Sequence, residues 1–189
     1  MKNLFLITFL LAAHFAQGQE VDSPQEIMIE TTVEKIGDYA QFAPAATSLA
    51  MLVIKNDGEG FWQFAESMGA NLTATWTIKY LIDKPRPEGR TDGHAFPSGH
   101  TSAAFQGASF LQRRYGWSYG IPAYAIAGFV AYSRLEGVNT RHDGWDVVAG
   151  IIVGVGSTYL FTTPYQREHF ELAFNGEGDN LSIGLRYKF

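Results

Sequence analysis

The sequence predicts an all-α fold, a helical bundle of about six helices with a small C-terminal β-hairpin. Three observations predict it. Long apolar segments alternate with short breaks rich in Gly, Pro and charge, small residues recur inside the later segments, and apolar residues alternate with a period of two only near the end of the chain. A chain of 189 residues suffices for one domain with a substantial core and is too short to argue for two, so a single active site is expected.

The opening stretch, MKNLFLITFLLAAHFAQGQE, passes from Lys2 through an apolar core to small residues at Ala16 and Gly18. That order predicts a signal peptide over residues 1–18, a helical domain over 19–164 and a tail over 165–189. An uncleaved anchor ranks second, because the apolar run is short for a span. Residues 24–38 read as a first short helix, and QFAPAATSLAMLVIKND as an apolar second helix ending near the Asp57-Gly58 turn signal. A third helix is expected from about Phe61 to Tyr80, stopped by Pro85 and Pro87. The loop KPRPEGRTDGHAFP follows, and Ser98 is placed as N-cap of a fourth helix through SAAFQGASFLQRR.

Pro122 is expected to open the fifth helix, IPAYAIAGFVAYSR. The sixth, DGWDVVAGIIVGVGSTYLF, starts with Asp143 and Asp146 spaced as a capping box. Ala123, Ala127, Gly128, Gly150, Gly154 and Gly156 predict close helix–helix contact. In the tail, Leu181, Ile183, Leu185, Tyr187 and Phe189 fall on one side of an alternating strand, and NGEGDN supplies turn residues.

Composition removes several function classes. A net charge of -5 works against general attraction to nucleic acid or to an anionic bilayer surface, so any anion must be captured locally. The absence of cysteine excludes disulfides, thiolate metal sites and cysteine nucleophiles. Mean hydropathy of -0.07 is low for a chain made mostly of spans, while the apolar segments near 45–54, 121–132 and 147–162 are suited to touching lipid. Trp62, Trp76, Trp117 and Trp145 fit core or interface positions better than a base-stacking platform.

Three clusters hold the unusual chemistry: Lys79 with Arg86-Pro87, then Pro97-Ser98-Gly99-His100, then Ser133-Arg134 followed by His142 and Asp146. Lysine is a point charge and arginine a planar fork matched to phosphoryl oxygens. A Ser-Gly step at a helix start aims backbone amides at an anion. Four residues separate His142 from Asp146, so a carboxylate can hold one ring nitrogen while the other attacks phosphorus; His100 is left as general acid. Taken singly, Lys79 is a helix-end cation, Ser98 a cap, Arg134 a partner for Glu136, and His142 with Asp146 a surface pair worth about 0.5 kcal/mol. Their joint order and spacing argue otherwise.

These stretches resemble the tripartite signature of the type 2 phosphatidic acid phosphatase family, which also includes the vanadium haloperoxidases. The first two clusters match the family pattern fully, whereas seven residues rather than five separate Arg134 from His142. The resemblance implies that Lys79, Arg86, Ser98, Gly99 and Arg134 bind phosphate, His100 protonates the leaving group, His142 attacks and Asp146 orients it. It implies a metal-independent phosphatase with no cofactor, acting on a phosphomonoester or pyrophosphate of a lipid or small molecule through a phosphohistidine. A periplasm-facing enzyme on or partly in a membrane is expected, with no nucleic-acid partner. The rivals are a vanadate-dependent haloperoxidase and a non-catalytic anion-binding envelope protein. His94 could join His100 on a metal, but nothing completes the set, and it is expected at the pocket rim. Lys84 and Arg90 are candidates for drawing anionic substrate toward the loop, and Arg141 competes with Arg134 for the phosphate fork.

Overall fold

A computed structural model describes residues 23–87, 93–135, 142–165, 170–177 and 180–187, the last two segments as backbone. The predicted signal peptide, Arg90, Glu136 and Arg141 lie outside the described residues. The fold is mostly helical.

Helix α1, Pro24–Ala40, opens with a reciprocal capping box: Glu26 N–H donates to Ser23 Oγ at 3.3 Å and Ser23 N–H to Glu26 Oε2 at 2.7 Å. Helix α2, Ala43–Ile54, carries Pro44 in its first turn, where the missing N–H costs nothing. Helix α3, Gly58–Ile82, begins earlier than expected because Asp57 accepts from Gly60 N–H at 2.8 Å, and it ends at Asp83, which takes a left-handed φ of 44°. Helix α4, Gly99–Tyr115, stops at Gly116, whose φ of 95° suits glycine.

The expected start of the fifth helix at Pro122 is corrected. Helix α5 runs Trp117–Leu135 with Pro122 inside it. The turn at Gly116 is already helical in its bonding, since the N–H groups of Tyr119 and Gly120 donate to the Gly116 carbonyl at 3.2 and 3.1 Å. Gly120 also lies so close to α4 that a Cβ there would sit 2.5 Å from Gln112 Cβ. Helix α6, Gly144–Phe161, starts on the aspartate capping box of Asp143 and Asp146.

Helix α4 is the centre of the bundle. Its Ala104, Ala108 and Leu111 pack on Ala123, Ala127 and Val130 of α5, and Phe110 packs with Leu52 and Phe64. Against α6 the backbones nearly touch: a Cβ at Gly150 would meet the Ser98 carbonyl oxygen at 2.6 Å, and one at Gly154 the Ser102 carbonyl oxygen at 2.4 Å. Gly128 and Gly156 meet nothing within 4 Å, so only some of the small residues serve helix contact.

Polarity is arranged against the habit of water-soluble bundles. Gln63, Ser67, Asn71, Thr75 and Lys79, four apart on α3, are all buried. Ser67 Oγ accepts from Gln106 Nε2 at 2.8 Å, and Thr75 and Ser102 hydroxyls meet at 3.0 Å. Val53, Leu81 and Leu160 are instead about four-fifths exposed. The four tryptophans are likewise exposed, which removes the core half of the expectation that they serve the core or an interface.

At the end of the bundle far from Lys79, Arg114 Nε and NH2 donate to the two Asp57 oxygens at 2.8 and 2.6 Å, and Tyr115 OH donates to Asp57 at 2.9 Å. This buried knot ties the start of α3 to the end of α4. The backbone of β1, Phe170–Glu177, runs antiparallel to β2, Asn180–Tyr187. The tail's side chains, on which the hairpin expectation rested, lie outside the described residues, and that element is taken up below as a proposal.

Candidate active site

Three helix ends meet at one end of the bundle. Lys79, in the last turn of α3, is buried, and its ammonium donates to the carbonyls of His94 at 2.8 Å and Pro97 at 2.6 Å. It therefore anchors the loop that delivers Ser98. The Ser98 N–H donates to the Asp146 carbonyl at 2.8 Å, joining the start of α4 to the first turn of α6. Ser98 occupies the N-cap position, but its hydroxyl accepts from Thr101 Oγ1 at 3.0 Å and makes no cap bond to the first-turn amides. Those amides are thus available to an anion.

Gly99 has no conformational need for glycine, and a Cβ there would make ordinary contact with Lys79 Cε at 3.7 Å.

His142 precedes α6 and is almost fully buried, with Nδ1 3.5 Å from Asp146 Oδ2. That separation is long for a hydrogen bond, yet it turns Nδ1 toward the carboxylate and leaves Nε2 as the ring nitrogen that does not face Asp146. Asp146 is itself fixed from two sides. Its Oδ2 accepts from Asp143 N–H at 3.0 Å, and its Oδ1 accepts from Lys84 Nζ at 2.7 Å. Lys84 also bonds Asp143, so the cation expected to draw substrate toward the loop instead clamps the loop to α6.

Electrostatics favour a neutral His142. Burial pushes His142 below the ordinary imidazole value, and the charges of Lys79 and Arg86 push the same way, against the opposing pull of Asp146. Lys84 goes the other way: burial alone would lower it, but its bonds to Asp143 and Asp146 prevail and hold it above the usual lysine range.

Of the three predicted residues that remain, Arg86 is near enough for its charge to act on both Lys79 and His142, while His100 and Arg134 meet each other. Arg134 is buried at the end of α5, where NH1 donates to Asp38 Oδ1 at 2.7 Å, NH2 to the Glu34 carbonyl at 2.8 Å, and Nε to its neighbour Ser133 Oγ at 3.2 Å. Gly37 permits this approach, since a Cβ there would fall 2.7 Å from Arg134 NH2. The same Asp38 oxygen lies 3.2 Å from His100 Nε2. His100 and Arg134 are therefore joined through a carboxylate of α1 that no motif announces. His94 sits at the rim with a φ of 63°, its Nδ1 3.0 Å from Asp83 and its ring against Tyr80. Among the described residues no three His, Asp or Glu side chains gather as a metal site.

With this geometry in view, comparison with known proteins decides the family. The family model described as PAP2 superfamily matches residues 60–170. The chain belongs to the PAP2 superfamily. Within it, the chain is similar to the lipid A 4'-phosphatase of Helicobacter pylori strain J99, with 27% identity covering 100% of this chain and 98% of that protein. It is also similar to a lipid A 1-phosphatase of Helicobacter pylori strain 26695, with 30% identity over 67% of this chain and 69% of that protein. Two crystal structures share the fold: Aquifex aeolicus LpxE, with TM-score 0.57, 19% identity and coverage of 74% and 87%, and a transmembrane PAP2-type phosphatidylglycerolphosphate phosphatase of Bacillus subtilis, with TM-score 0.56, 20% identity and coverage of 85% and 92%. The α1 carboxylate lies outside the residues matched by the PAP2 superfamily model.

Proposed function

We propose that this chain is a phosphatase that removes phosphate from a phosphorylated lipid, with a glycolipid of the lipid A type as the first substrate to test. The observation that carries the reading is the meeting of Lys79, the α4 N-terminus and the Lys84–Asp146–His142 chain at one end of the bundle. Full-length similarity to a lipid A 4'-phosphatase supports the substrate class. The relatives favour neither a haloperoxidase nor a non-catalytic envelope protein.

In the proposed reaction, His142 Nε2 attacks phosphorus as the bond to the leaving oxygen breaks, and His100 gives that oxygen a proton. Lys79, Arg86, the amides after Ser98 and Arg134 are proposed to stabilise the transferring group by fixed positive charge, without a metal ion. Water then attacks the phosphohistidine, His100 takes its proton, and free phosphate leaves. Arg134 reaches the phosphate in this scheme from a guanidinium already held by Asp38.

Membrane association is supported by the inverted polarity of the bundle. Among the described residues one helix, α6, is long and apolar enough to cross a bilayer. Exposed aromatics also form two rings along α3: Phe61 and Trp62 near its start, Trp76 and Tyr80 near its end. At 1.5 Å per residue these are separated by about 21–29 Å, close to the thickness of a hydrocarbon core. Trp145 adds to the ring at the site's end and Trp117 to α5 at the other. In water so much exposed apolar surface would drive association, whereas in lipid it is at home. Export of the chain to a periplasm-facing site, removal of residues 1–18 and an appended hairpin within residues 165–189 are part of the same proposal.

The test uses the full chain in detergent, offered lipid A, a phosphorylated glycerolipid and an aryl phosphate. Phosphate release with EDTA present, an acid-labile phosphoenzyme, and loss of both in His142→Ala are expected. Turnover that EDTA abolishes in folded protein, or that survives His142→Ala, would overturn the mechanism.

A further inference from the structure

Each histidine of the site is backed by a carboxylate, and each carboxylate by a cation. Lys84, Asp146 and His142 form one such chain, and Arg134, Asp38 and His100 form another. The second chain is assembled across the fold: Asp38 is on α1, Arg134 is 96 residues further along at the end of α5, and His100 is in the first turn of α4.

The two chains differ in solvation. The side chains of His142 and Asp146 are 4% and 0% exposed, those of His100 and Asp38 30% and 35%. A buried imidazole under two nearby cations favours the neutral form a nucleophile needs. An imidazole partly open to water with Nε2 3.2 Å from a carboxylate is paired with an opposite charge whenever it carries both protons, as an acid must. With Nε2 held by Asp38, such a ring presents its second N–H, at Nδ1, to the leaving oxygen.

From this we infer that Asp38 is the positioning residue of the general acid, orienting His100 and stabilising its protonated form while Arg134 fixes the carboxylate. The inference rests on the phosphatase reading above. Proton balance is simple: the His100 proton passes to the leaving oxygen as the phosphorus–oxygen bond breaks, and the neutral ring recovers a proton from the water that hydrolyses the phosphohistidine. A proton donor matters most for a poor leaving group, because an aryloxide departs without much help and an alkoxide does not.

The experiment compares kcat/KM of the full chain in detergent on an aryl and an alkyl phosphate. Asp38→Asn should lose at least tenfold more activity on the alkyl ester than on the aryl ester, and His100→Asn should show the same selectivity. In the His100→Asn background, adding Asp38→Asn should cost less than about twofold. Equal losses on both esters, or an undiminished cost in the double variant, would show that Asp38 acts only by holding Arg134 or the fold, and would overturn the inference. Gel filtration and thermal melting report folding. If Asp38→Asn does not fold, Asp38→Glu serves, because it keeps a charge for Arg134 while displacing the oxygen facing His100; it too should spare the aryl ester. A wild type that hydrolyses neither these esters nor any phosphorylated lipid refutes the phosphatase reading itself, whereas an active wild type without leaving-group selectivity in the variants refutes only the role of Asp38.

Discussion

Replacing Lys84 by methionine separates anchoring from substrate attraction. The ammonium is bonded to Asp146, whose side chain is fully buried, while the lysine side chain itself keeps 30% of its surface in contact with solvent. A hydrogen bond to a charged group contributes about 1.5–3 kcal/mol. Partial exposure of the lysine places this one in the lower part of that range, about 1.5–2 kcal/mol. If the contribution is needed to hold His142 at the attack angle, kcat should fall about 10- to 30-fold. Methionine keeps the length and apolar stem, so packing changes little. The assay is phosphate release with kcat and KM resolved at two ionic strengths. Anchoring predicts a fall in kcat with KM nearly unchanged and Lys84→Arg close to wild type. A rise in KM alone, suppressed in wild type by salt, would mean that Lys84 attracts substrate, and wild-type kinetics in Lys84→Met would refute the clamp.

The other predictions draw on separate parts of the structure. Because His142 is held below its ordinary 6.5, the unfolded chain binds a proton that the folded chain declines once pH falls below 6.5; this residue therefore withdraws stability from there down through its folded value and contributes none above. The acidic limb of kcat/KM should accordingly lie below pH 6.5 and move lower still in Asp146→Asn, since the carboxylate pulls His142 upward; a limb centred above 6.5 in wild type contradicts this. Asp57→Ala leaves Arg114 buried without its carboxylate and should cost about 3–5 kcal/mol in unfolding experiments. The site is about 33 Å away along α3, so the folded fraction should keep its kcat. Gly154→Ala drives a methyl into the α4 backbone and should destabilise by about 1–3 kcal/mol, whereas Gly156→Ala meets open space and should be neutral or gain about 0.5–1 kcal/mol; equal melting temperatures for the pair would refute the close α4–α6 contact.

Helix boundaries were legible where they are written in local chemistry. Asp57, the Pro85–Pro87 loop and the Asp143–Asp146 box act within a few residues of themselves, and the breaks fall beside them. Pro122 misled for the complementary reason. A proline is a local signal, but whether the residues before it are helical depends on the corner at Gly116 and on the fit of Gly120 against Gln112, which only packing determines. The tryptophans depart from the core half of their reading: Trp62, Trp76, Trp117 and Trp145 are exposed around a buried row of Gln63, Ser67, Asn71 and Thr75, an inversion that residue type alone, read with water outside the fold, does not announce.

The candidate site divides along the same line. Motif spacing identified Lys79, Ser98, His142 and Asp146, and these are the residues that the loop carbonyls, the Ser98 amide and the α6 cap draw together. What holds them was not legible. Lys84 looked like a loop cation until α6 was placed opposite it, and Asp38 had no spacing to be judged by, since its partners lie on two other helices. A reacting group must be of a particular chemical type at a particular place, so its sequence pattern is narrow. A supporting group needs only to arrive from whatever element packs there, and many positions on α1 satisfy that. The long Arg134–His142 spacer follows from this difference: with the guanidinium fixed by Asp38 and the Glu34 carbonyl, and the imidazole aligned by Asp146, the two ends are located independently of the chain between them. A departure from the spacing pattern is therefore compatible with both chains of support.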